Sequence, residues 1–361
     1  MSFSFGNDFK ITIFGESHGK CVGVVIEGCS PEKTIDKTLI QQRLDMRRPG
    51  QSEVTTQRKE KDEIEILSGI FKGKTTGAPL VMKIRNEDVD SGYYDEIKRT
   101  PRPGHADLTA HLKYNGANDY RGGGTFSGRM TAALVIAGAV AEQILAERGV
   151  KTVAHIIQIG TISVKREISS SEIEKNVYTN SVRCADPDTA EAMEKEIHRS
   201  RESGDSIGGM IECRVLGVPA GIGEPFFDSV ESVLSHLIFA IPGVKGIEFG
   251  AGFLAVEMMG SEHNDNFELK NGRISTETNN AGGILGGISN GMPIILKVAM
   301  KPTPSISRRQ KTIDLEKMEE TEIGMKGRHD PCIAVRAVPV VEAAASIALT
   351  DLFLRNAHEH I

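Results

Sequence analysis

The chain has 361 residues and a formal net charge of −6; 39% of its residues are hydrophobic and 25% are charged. This composition is typical of a globular protein with a substantial core, and it argues against a general nucleic-acid-binding protein. Five scattered cysteines without a CxxC pair disfavour a disulfide framework or a metal site and favour reduced thiols in the cytoplasm. We expect neither a secretory signal nor an apolar run long enough to cross a membrane.

The first patterned segment predicts two strands, over residues 9–14 and 22–28, joined by Gly-Glu-Ser-His-Gly at 15–19. This connection presents a carboxylate, the hydroxyl of Ser17 and the imidazole of His18 on one short loop. Two interpretations fit the pattern: a functional site, or polar residues that only close a turn. The spacing differs from the Gly-x-Ser-x-Gly elbow of hydrolases.

A helix is predicted over residues 36–48, and its second half carries Arg43, Arg47 and Arg48. Basic residues at a helix C-terminus complement the helix dipole, but guanidinium groups also capture small polyanions. Strands are expected at 64–71 and 80–84. His105 then follows in a proline-stiffened loop, where it is either a fixed functional histidine or an ordinary surface one.

The segment 119–149 combines a loop with three consecutive glycines and a largely apolar helix. Ser127 is the expected N-cap of this helix, and Gly149 suits its C-terminal end. Arg121 and Arg129 flank the loop, so it fits either an anion site at a helix N-terminus or a tight turn before a core helix. No Lys-Ser/Thr follows the glycines, which excludes a Walker A loop.

The remaining pattern alternates strands, helices and glycine-rich loops. Strands are predicted at 153–164, 210–216 and 294–300. Helices are predicted at 189–202, 229–239 and 339–356. Small residues in the last helix indicate close packing. A second glycine-rich segment at 279–291 and an extended Lys-Pro-Thr-Pro-Ser loop at 301–305 lie between them.

Several motifs together carry a family resemblance. They are Phe-Gly-Glu-Ser-His-Gly at 14–19, Arg-Arg-Pro-Gly at 47–50, Thr-Thr-Gln-Arg at 55–58, Lys-Thr-Thr-Gly-Ala-Pro at 74–79, Arg-Pro-Gly-His-Ala-Asp at 102–107, Tyr-Arg-Gly-Gly-Gly at 120–124, Phe-Ser-Gly-Arg at 126–129, Val-Lys-Gly at 244–246, Ala-Gly-Gly-Ile-Leu-Gly-Gly-Ile-Ser at 281–289, Lys-Pro at 301–302 and Gly-Arg-His-Asp-Pro-Cys at 327–332. Each is weak alone, but in this order and spacing they make the whole chain resemble the chorismate synthases.

The resemblance implies an α+β fold, a single β-α-β sandwich domain over residues 1–361, assembled as a homotetramer. It also implies a lyase that converts 5-enolpyruvylshikimate 3-phosphate to chorismate and phosphate by a formal anti-1,4-elimination, with reduced FMN as cofactor. No large insertion accompanies the family core, which favours a form that depends on an external flavin reductase and uses NADPH only indirectly. The alternatives are a flavin-binding module that has lost the reaction and a flavin-independent phosphate-ester lyase.

Roles for individual residues follow from the matching motifs. His18 would be the general acid at the leaving phosphate, and His105 would lie beside the flavin pyrimidine and support its reduced form. Ser17, Ser127 and Asp330 resemble the proton-relay set around flavin N5, with Asp330 as the terminal base.

The binding residues implied by the resemblance form two groups. Those expected to contact substrate are Arg47, Arg48, Arg102 and Arg129. Those expected to contact the flavin are Thr125, Phe126, Ser127, Pro242, Gly243, Gly286, Lys301, Pro302, Thr303, Pro304, Ser305 and Arg328, among which Lys301 and Ser305 suit the FMN phosphate.

The chain departs from common family patterns at three points. Glu53 stands where many members have arginine, Thr125-Phe126 replaces an Arg-Ser pair, and Pro242-Gly243 replaces Asn-Ala. Thr125 cannot form a guanidinium fork, so any ion pair there must come from elsewhere.

Overall fold

The computed structural model describes residues 3–48, 50, 61–87, 94–270, 272–325 and 329–359. Within them the strands are β1 Ser4–Phe5, β2 Lys10–Gly15, β3 Cys21–Glu27, β4 Glu65–Ser68, β5 Ile70–Phe71, β6 Lys74–Thr75, β7 Leu80–Arg85, β8 Lys151–Ile159, β9 Ile162–Ser163, β10 Gly209–Leu216, β11 Val244–Phe249, β12 Phe267–Lys270, β13 Arg273–Thr276, β14 Ile284–Leu285, β15 Ile288–Ser289, β16 Ile294–Met300, β17 Gln310–Asp314 and β18 Glu319–Ile323.

The helices of the described residues are α1 Lys37–Arg47, α2 Tyr94–Arg99, α3 Asp107–Tyr114, α4 Thr131–Ala146, α5 Ser170–Asn176, α6 Pro187–Glu202, α7 Val230–Ile238, α8 Gly260–His263 and α9 Ala334–Glu359. Short 3₁₀ helices occupy Arg121–Phe126, Gly128–Met130, Phe226–Asp228 and Gly252–Glu257.

Two antiparallel sheets enclose a layer of helices. One sheet has the order β1-β2-β3-β7-β4 and the other the order β11-β16-β10-β8-β9. Helix α4 packs against α1, α9 and β3, while α9 packs against α7, β8 and β10. The predicted α+β sandwich is therefore confirmed, with the apolar residues of both sheets buried against the helices.

Alternation along the strands explains why each sheet has one inward face. In β3 the side chains of Val22, Val24 and Ile26 are fully buried, as are those of Ile211 and Cys213 in β10. These strands agree with the sequence prediction to within two residues, because a period of two is a strong local signal.

The two central helices approach each other closely through small residues. A Cβ built on Gly138 of α4 would lie 2.2 Å from the Cβ of Ala343 in α9, so any larger side chain would force the helices apart. The prediction of close packing by the last helix is confirmed.

That helix begins at Ala334, whereas the sequence prediction began it at Pro339. Proline favours the first turn of a helix, which is why the sequence indicated a start there. In the structure the amide of Ala337 already donates to the carbonyl of Ile333 at 3.1 Å, so helical hydrogen bonds begin before the proline. The earlier start places Arg336 and Ala337 on the helix.

Among the described residues, two helices are long and apolar enough to span a membrane, contrary to the expectation from sequence: Gly128–Ala146 and Ala334–Asn356. Their most apolar windows are 78% and 94% buried inside the protein, between the two sheets. Such burial is typical of the core helices of a globular fold.

Candidate active site

A cavity of about 520 Å³ opens where the glycine loop, the His105 loop, the start of α9 and the ends of β11 and β16 meet. This volume lies in the range of small-molecule sites, roughly 300–1,000 Å³. Its lining contains His105, Asp330 and many of the predicted binding residues, namely Arg47, Arg102, Thr125, Phe126, Ser127, Arg129, Pro242, Gly243, Lys301, Thr303, Pro304 and Ser305. The fold thus brings together segments that are up to 290 residues apart in sequence.

The glycine triplet covers both predicted catalytic histidines, and its Gly122 forms part of one wall of the cavity. Gly122 and Gly123 have φ of 60° and 84°, a conformation that favours glycine. A Cβ on Gly122 would lie 2.3 Å from Cδ2 of His18 and 2.7 Å from Oγ of Ser17, and one on Gly123 would lie 3.1 Å from Cε1 of His105. Only glycine lets the loop approach the two imidazoles so closely.

His18 and Ser17 are buried behind the wall and do not line the cavity. The His18 ring lies edge-on to Tyr94, with ring centroids 5.0 Å apart. Because Tyr94 and Gly122 both line the cavity, His18 is one layer of side chains away from its space. The amide of Ser17 donates to the carbonyl of Gly124 at 3.2 Å and fixes this loop to the glycine wall.

His105 is held by a charged cluster on its own loop. Its Nδ1 lies 2.6 Å from Oδ1 of Asp107, and a carboxylate only accepts hydrogen bonds, so this nitrogen carries a proton. Arg102 donates to Asp107 from Nε at 2.7 Å and from Nη2 at 2.8 Å, and to Oγ of Ser305 at 3.1 Å. Burial raises the pKa of Asp107, but hydrogen bonds from Arg102 and His105 outweigh it and hold that pKa well below its usual value.

A second cluster orients two further arginines beside the cavity. Asp62 is fully buried, and its carboxylate accepts from Arg47 Nη1 at 3.2 Å and from Arg129 Nη1. Arg47 also donates to Oγ1 of Thr131 at 2.9 Å and to the carbonyl of Gly128 at 2.9 Å. Burial, together with the nearby charge of Arg336, lowers the pKa of Arg47 to about 9, although Asp62 opposes this shift.

The start of α9 positions the predicted terminal base. Nη1 of Arg336 donates to Oδ2 of Asp330 at 2.7 Å, and its Nε donates to the carbonyl of Arg47 at 3.1 Å. Oγ1 of Thr303 donates to the carbonyl of Asp330 at 2.7 Å, which ties the Lys301 loop to the same point. Arg336 was not singled out from the sequence, because its first-turn position on α9 depends on where that helix begins.

Ser127 plays the capping role that the sequence indicated, although the helix begins with a 3₁₀ turn. Its Oγ accepts the amide of Arg129 at 3.2 Å, and α4 follows from Thr131. The Arg129 guanidinium donates from Nε to Oδ1 of Asn86 at 2.9 Å, so the cap and the arginine are fixed together.

Comparison with known proteins identifies the family to which the chain is similar. The chorismate synthase family profile matches residues 9–354. The chain is 49% identical to a chorismate synthase of Korarchaeum cryptofilum over 98% of this chain and 97% of that one. It is 50% identical to one of Methanosarcina mazei over 98% and 96%. A solved chorismate synthase structure superposes with a TM-score of 0.78 at 29% identity, over 97% and 93% of the two chains.

The chain belongs to the chorismate synthase family. It is therefore a carbon–oxygen lyase of the shikimate pathway, which serves aromatic amino-acid biosynthesis, and the family uses reduced flavin. The resemblance drawn from its motifs is confirmed, and the alternative of a flavin-binding module without lyase activity is not favoured.

The cavity has the charge that a chorismate synthase needs for an anionic substrate. Its described lining contains the cations Arg47, Arg102, Arg129, Lys301 and Arg336, against the single carboxylate of Asp330. The side chain of Lys301 donates to the carbonyl of Gly104, and burial lowers its pKa. A local excess of cations in a chain of net charge −6 indicates a site for a polyanion.

Three of the predicted binding residues that the structure describes are not in the cavity lining. Arg48 lies 3.6 Å from Asp45 on its own helix, and Pro302 is exposed. Gly286 is exposed at the turn of the β14–β15 hairpin, and the neighbouring Gly287 packs against Ser229 at the start of α7. Helix α7 is roughly 13 Å long and the cavity lies at its other end, so Gly286 is remote from the cavity of its own chain. Arg328, like Glu53, lies outside the described residues.

The residues that sequence reasoning missed are mostly partners of the arginines and of His105. Asp62 and Asp107 hold the arginines, Arg336 holds Asp330, and Tyr94 contacts His18. Asp107 stands within the quoted Arg-Pro-Gly-His-Ala-Asp motif, so its proximity to His105 was a usable signal. Asp62 had no local signal.

Proposed function

We propose that the cavity binds reduced FMN together with 5-enolpyruvylshikimate 3-phosphate and is where chorismate forms. The observation that carries this proposal is the convergence of five cations, His105 and Asp330 on one space of about 520 Å³. The substrate has two carboxylates and a phosphate, and bidentate guanidinium groups suit such anions.

The donor set fits a flavin mononucleotide. Phe126, Ile241 and Ile333 offer apolar walls for a flat ring, and Gly243 at φ 97° lets the chain approach it closely. Lys301 and Ser305 offer a cation and a hydroxyl for its phosphate, and Arg328 is a third candidate. A flavin held by these residues would supply the chemistry of transient electron donation to the substrate.

Side chains of the protein donate and accept the protons of the reaction. We assign His18 as the donor to the leaving phosphate, and Asp330 as the acceptor of the substrate proton through Ser17 and Ser127. His105, with Nδ1–H donated to Asp107, presents its other edge towards Gly123 at the cavity wall. Arg47, Arg102 and Arg129 orient the substrate, and Arg48 remains a proposed substrate contact at the rim.

The proposal is tested by an anaerobic assay with dithionite-reduced FMN, followed by an aerobic assay with NADPH alone. We expect turnover in the first and none in the second, because we propose that an external flavin reductase or reductant supplies the electrons and that NADPH acts only through it. Activity with NADPH alone would contradict that dependence. Turnover without any flavin would overturn the assignment of the cavity to FMN.

Arg336 is proposed to hold the Asp330 carboxylate in a fixed orientation. Arg336→Gln removes a charge-assisted bond at 2.7 Å, and we expect it to lower kcat by about tenfold. Arg336→Lys retains the charge and is expected to restore part of the rate. An unchanged kcat in Arg336→Gln would contradict the assignment.

We propose that the chain assembles as a homotetramer in the cytoplasm. The segment from the 3₁₀ helix at Gly252–Glu257 to β13 presents apolar side chains that are 70–86% exposed, namely Phe253, Val256, Phe267, Leu269 and Ile274. A group of exposed apolar side chains of this kind typically marks an interface. A second subunit would also explain how Gly286 could serve a flavin site, that of its neighbour.

The five free thiols are typical of a protein in a reducing compartment such as the cytoplasm.

Val256→Glu combined with Ile274→Glu is expected to dissociate the assembly, because charges at a buried apolar contact lose their hydration. Multi-angle light scattering measures the mass directly. Lys195→Glu on the exposed face of α6 is the matched control and should leave the mass unchanged. A wild-type monomer would contradict the tetramer.

A further inference from the structure

Ser17 and His18 occupy the two central positions of a β-turn. The amide of Gly19 donates to the carbonyl of Glu16 at 3.0 Å and closes this turn. A turn has fewer backbone hydrogen bonds than a strand and opens more easily. The direction of the two central side chains therefore depends on what holds the ends of the turn.

The side chain of Asn86 holds both ends of this turn. Its Nδ2 donates to the carbonyl of Glu16 at 2.9 Å and to the carbonyl of Gly19 at 2.8 Å. The backbone amide of Asn86 also donates to the carbonyl of Lys20 at 3.3 Å. Asn86 reaches this position because it directly follows β7, which pairs with β3, and β3 begins just after the turn.

The same side chain also orients Arg129, which lines the candidate active site. Oδ1 of Asn86 accepts from Nε of Arg129 at 2.9 Å, and this guanidinium further donates to Asp62 and to the carbonyl of Arg85 at 3.0 Å. The three side-chain contacts of Asn86 agree on one orientation of its amide, because two carbonyls require the NH₂ group and a guanidinium N–H requires the oxygen. An ionised aspartate has the same shape but cannot donate.

We propose that Asn86 is a positioning residue for the reaction, which holds the turn of Ser17 and His18 at a fixed place relative to Arg129. This inference rests on the proposed function, in which His18 donates a proton to the leaving phosphate and Arg129 orients the same substrate. A displacement of about 1 Å between such groups can lower a rate by about 10²-fold. One amide thus couples substrate binding to proton transfer.

Asn86→Asp separates the two contacts of this side chain. The introduced carboxylate still accepts from Nε of Arg129 but no longer donates to the two turn carbonyls. With dithionite-reduced FMN under anaerobic conditions, we expect kcat to fall at least about tenfold. KM for 5-enolpyruvylshikimate 3-phosphate should stay within about threefold of the wild type. Asn86→Ala removes both contacts, so kcat should fall and KM should also rise, by at least about fivefold.

Hydrogen–deuterium exchange of the full chain without ligands tests the same contacts independently of turnover. The amides of Ser17 and Gly19 should exchange at least about tenfold faster in both Asn86 variants than in the wild type. Asn180→Asp is the matched control. Asn180 also donates from Nδ2 to a loop carbonyl, that of Cys184 at 2.7 Å, but it does not line the cavity. This control should leave kcat and the exchange of the turn within about twofold of the wild type.

Three results would overturn the inference. They are an unchanged kcat in Asn86→Asp, unchanged exchange of the turn amides in that variant, and an equally large loss of kcat in Asn180→Asp. Should Asn86→Asp fail to fold by circular dichroism, the same outcomes are judged on Asn86→Ala. Absence of turnover by the wild type would instead contradict the proposed function, and the exchange measurement would still decide whether Asn86 holds the turn.

Discussion

The substitutions His18→Ala and His105→Ala should each lower the turnover number by roughly 10²-fold or more. This is the size expected for the loss of a positioned proton donor or acceptor. His18 is buried behind Gly122, in edge-on contact with Tyr94, and His105 is fixed by Asp107 and lies beneath Gly123. Both imidazoles are held in place before any ligand arrives, so their contribution to the rate should not depend on a conformational change.

The two histidines should differ in a second readout. His105 lines the cavity and His18 does not, so His105→Ala should also weaken the binding of reduced FMN, whereas His18→Ala should leave it nearly unchanged. Turnover is measured with photoreduced FMN under anaerobic conditions, and flavin binding by fluorescence quenching. His198→Ala on α6, away from the cavity, is the control and should remain within about twofold of the wild type in turnover. Wild-type turnover in either variant would remove its assigned role.

Asp62→Ala should destabilise the protein by about 3–5 kcal/mol, the usual cost of leaving one partner of a buried ion pair without its counter-charge. Asp62 is fully buried, and the Arg47 side chain is only 2% exposed, so water cannot replace the lost carboxylate. The pKa of Arg47, already lowered to about 9 by burial, shows that this guanidinium is costly to keep charged.

The measurement is urea unfolding at constant pH and protein concentration. Asp62→Asn keeps an acceptor and should lose less stability than Asp62→Ala. Glu32→Ala, which breaks an exposed pair with Lys74 at 2.7 Å, is the matched control and should cost about 0–1 kcal/mol. Losses of similar size in Asp62→Ala and Glu32→Ala would mean that solvent reaches the arginines and that Asp62 does not position them.

The same substitution links stability to function. Arg47 and Arg129 both lose their orienting carboxylate in Asp62→Ala, so KM for 5-enolpyruvylshikimate 3-phosphate should rise while the histidines keep their positions. A polyanionic substrate that binds the two guanidiniums in place of the lost carboxylate should in turn raise the unfolding midpoint of Asp62→Ala more than that of the wild type.

The order of motifs in the sequence was sufficient to identify the family, and alternation within strands was sufficient to place most of them. These signals are local: a period of two in β3, β10 and β16, and glycines where the backbone must turn or approach a ring. The family resemblance implied the sandwich and assigned His105, Ser127, Lys301 and Asp330 to one site, and the cavity lining contains all four residues.

Only the tertiary structure decided which charges meet. Asp62 faces Arg47 and Arg129 across 15 and 67 residues, and Glu342 faces Arg43 across 299, and no local pattern records such distances. The tertiary structure also showed that His18 lies behind the cavity wall and that α9 starts early enough to place Arg336 on Asp330. Sequence periodicity indicates which face of a segment is buried and which is exposed to solvent, whereas ion pairs depend on how separate segments pack against each other. For that reason the reaction of this protein could be predicted from its motifs, but the ion pairs that hold the site residues in place could not.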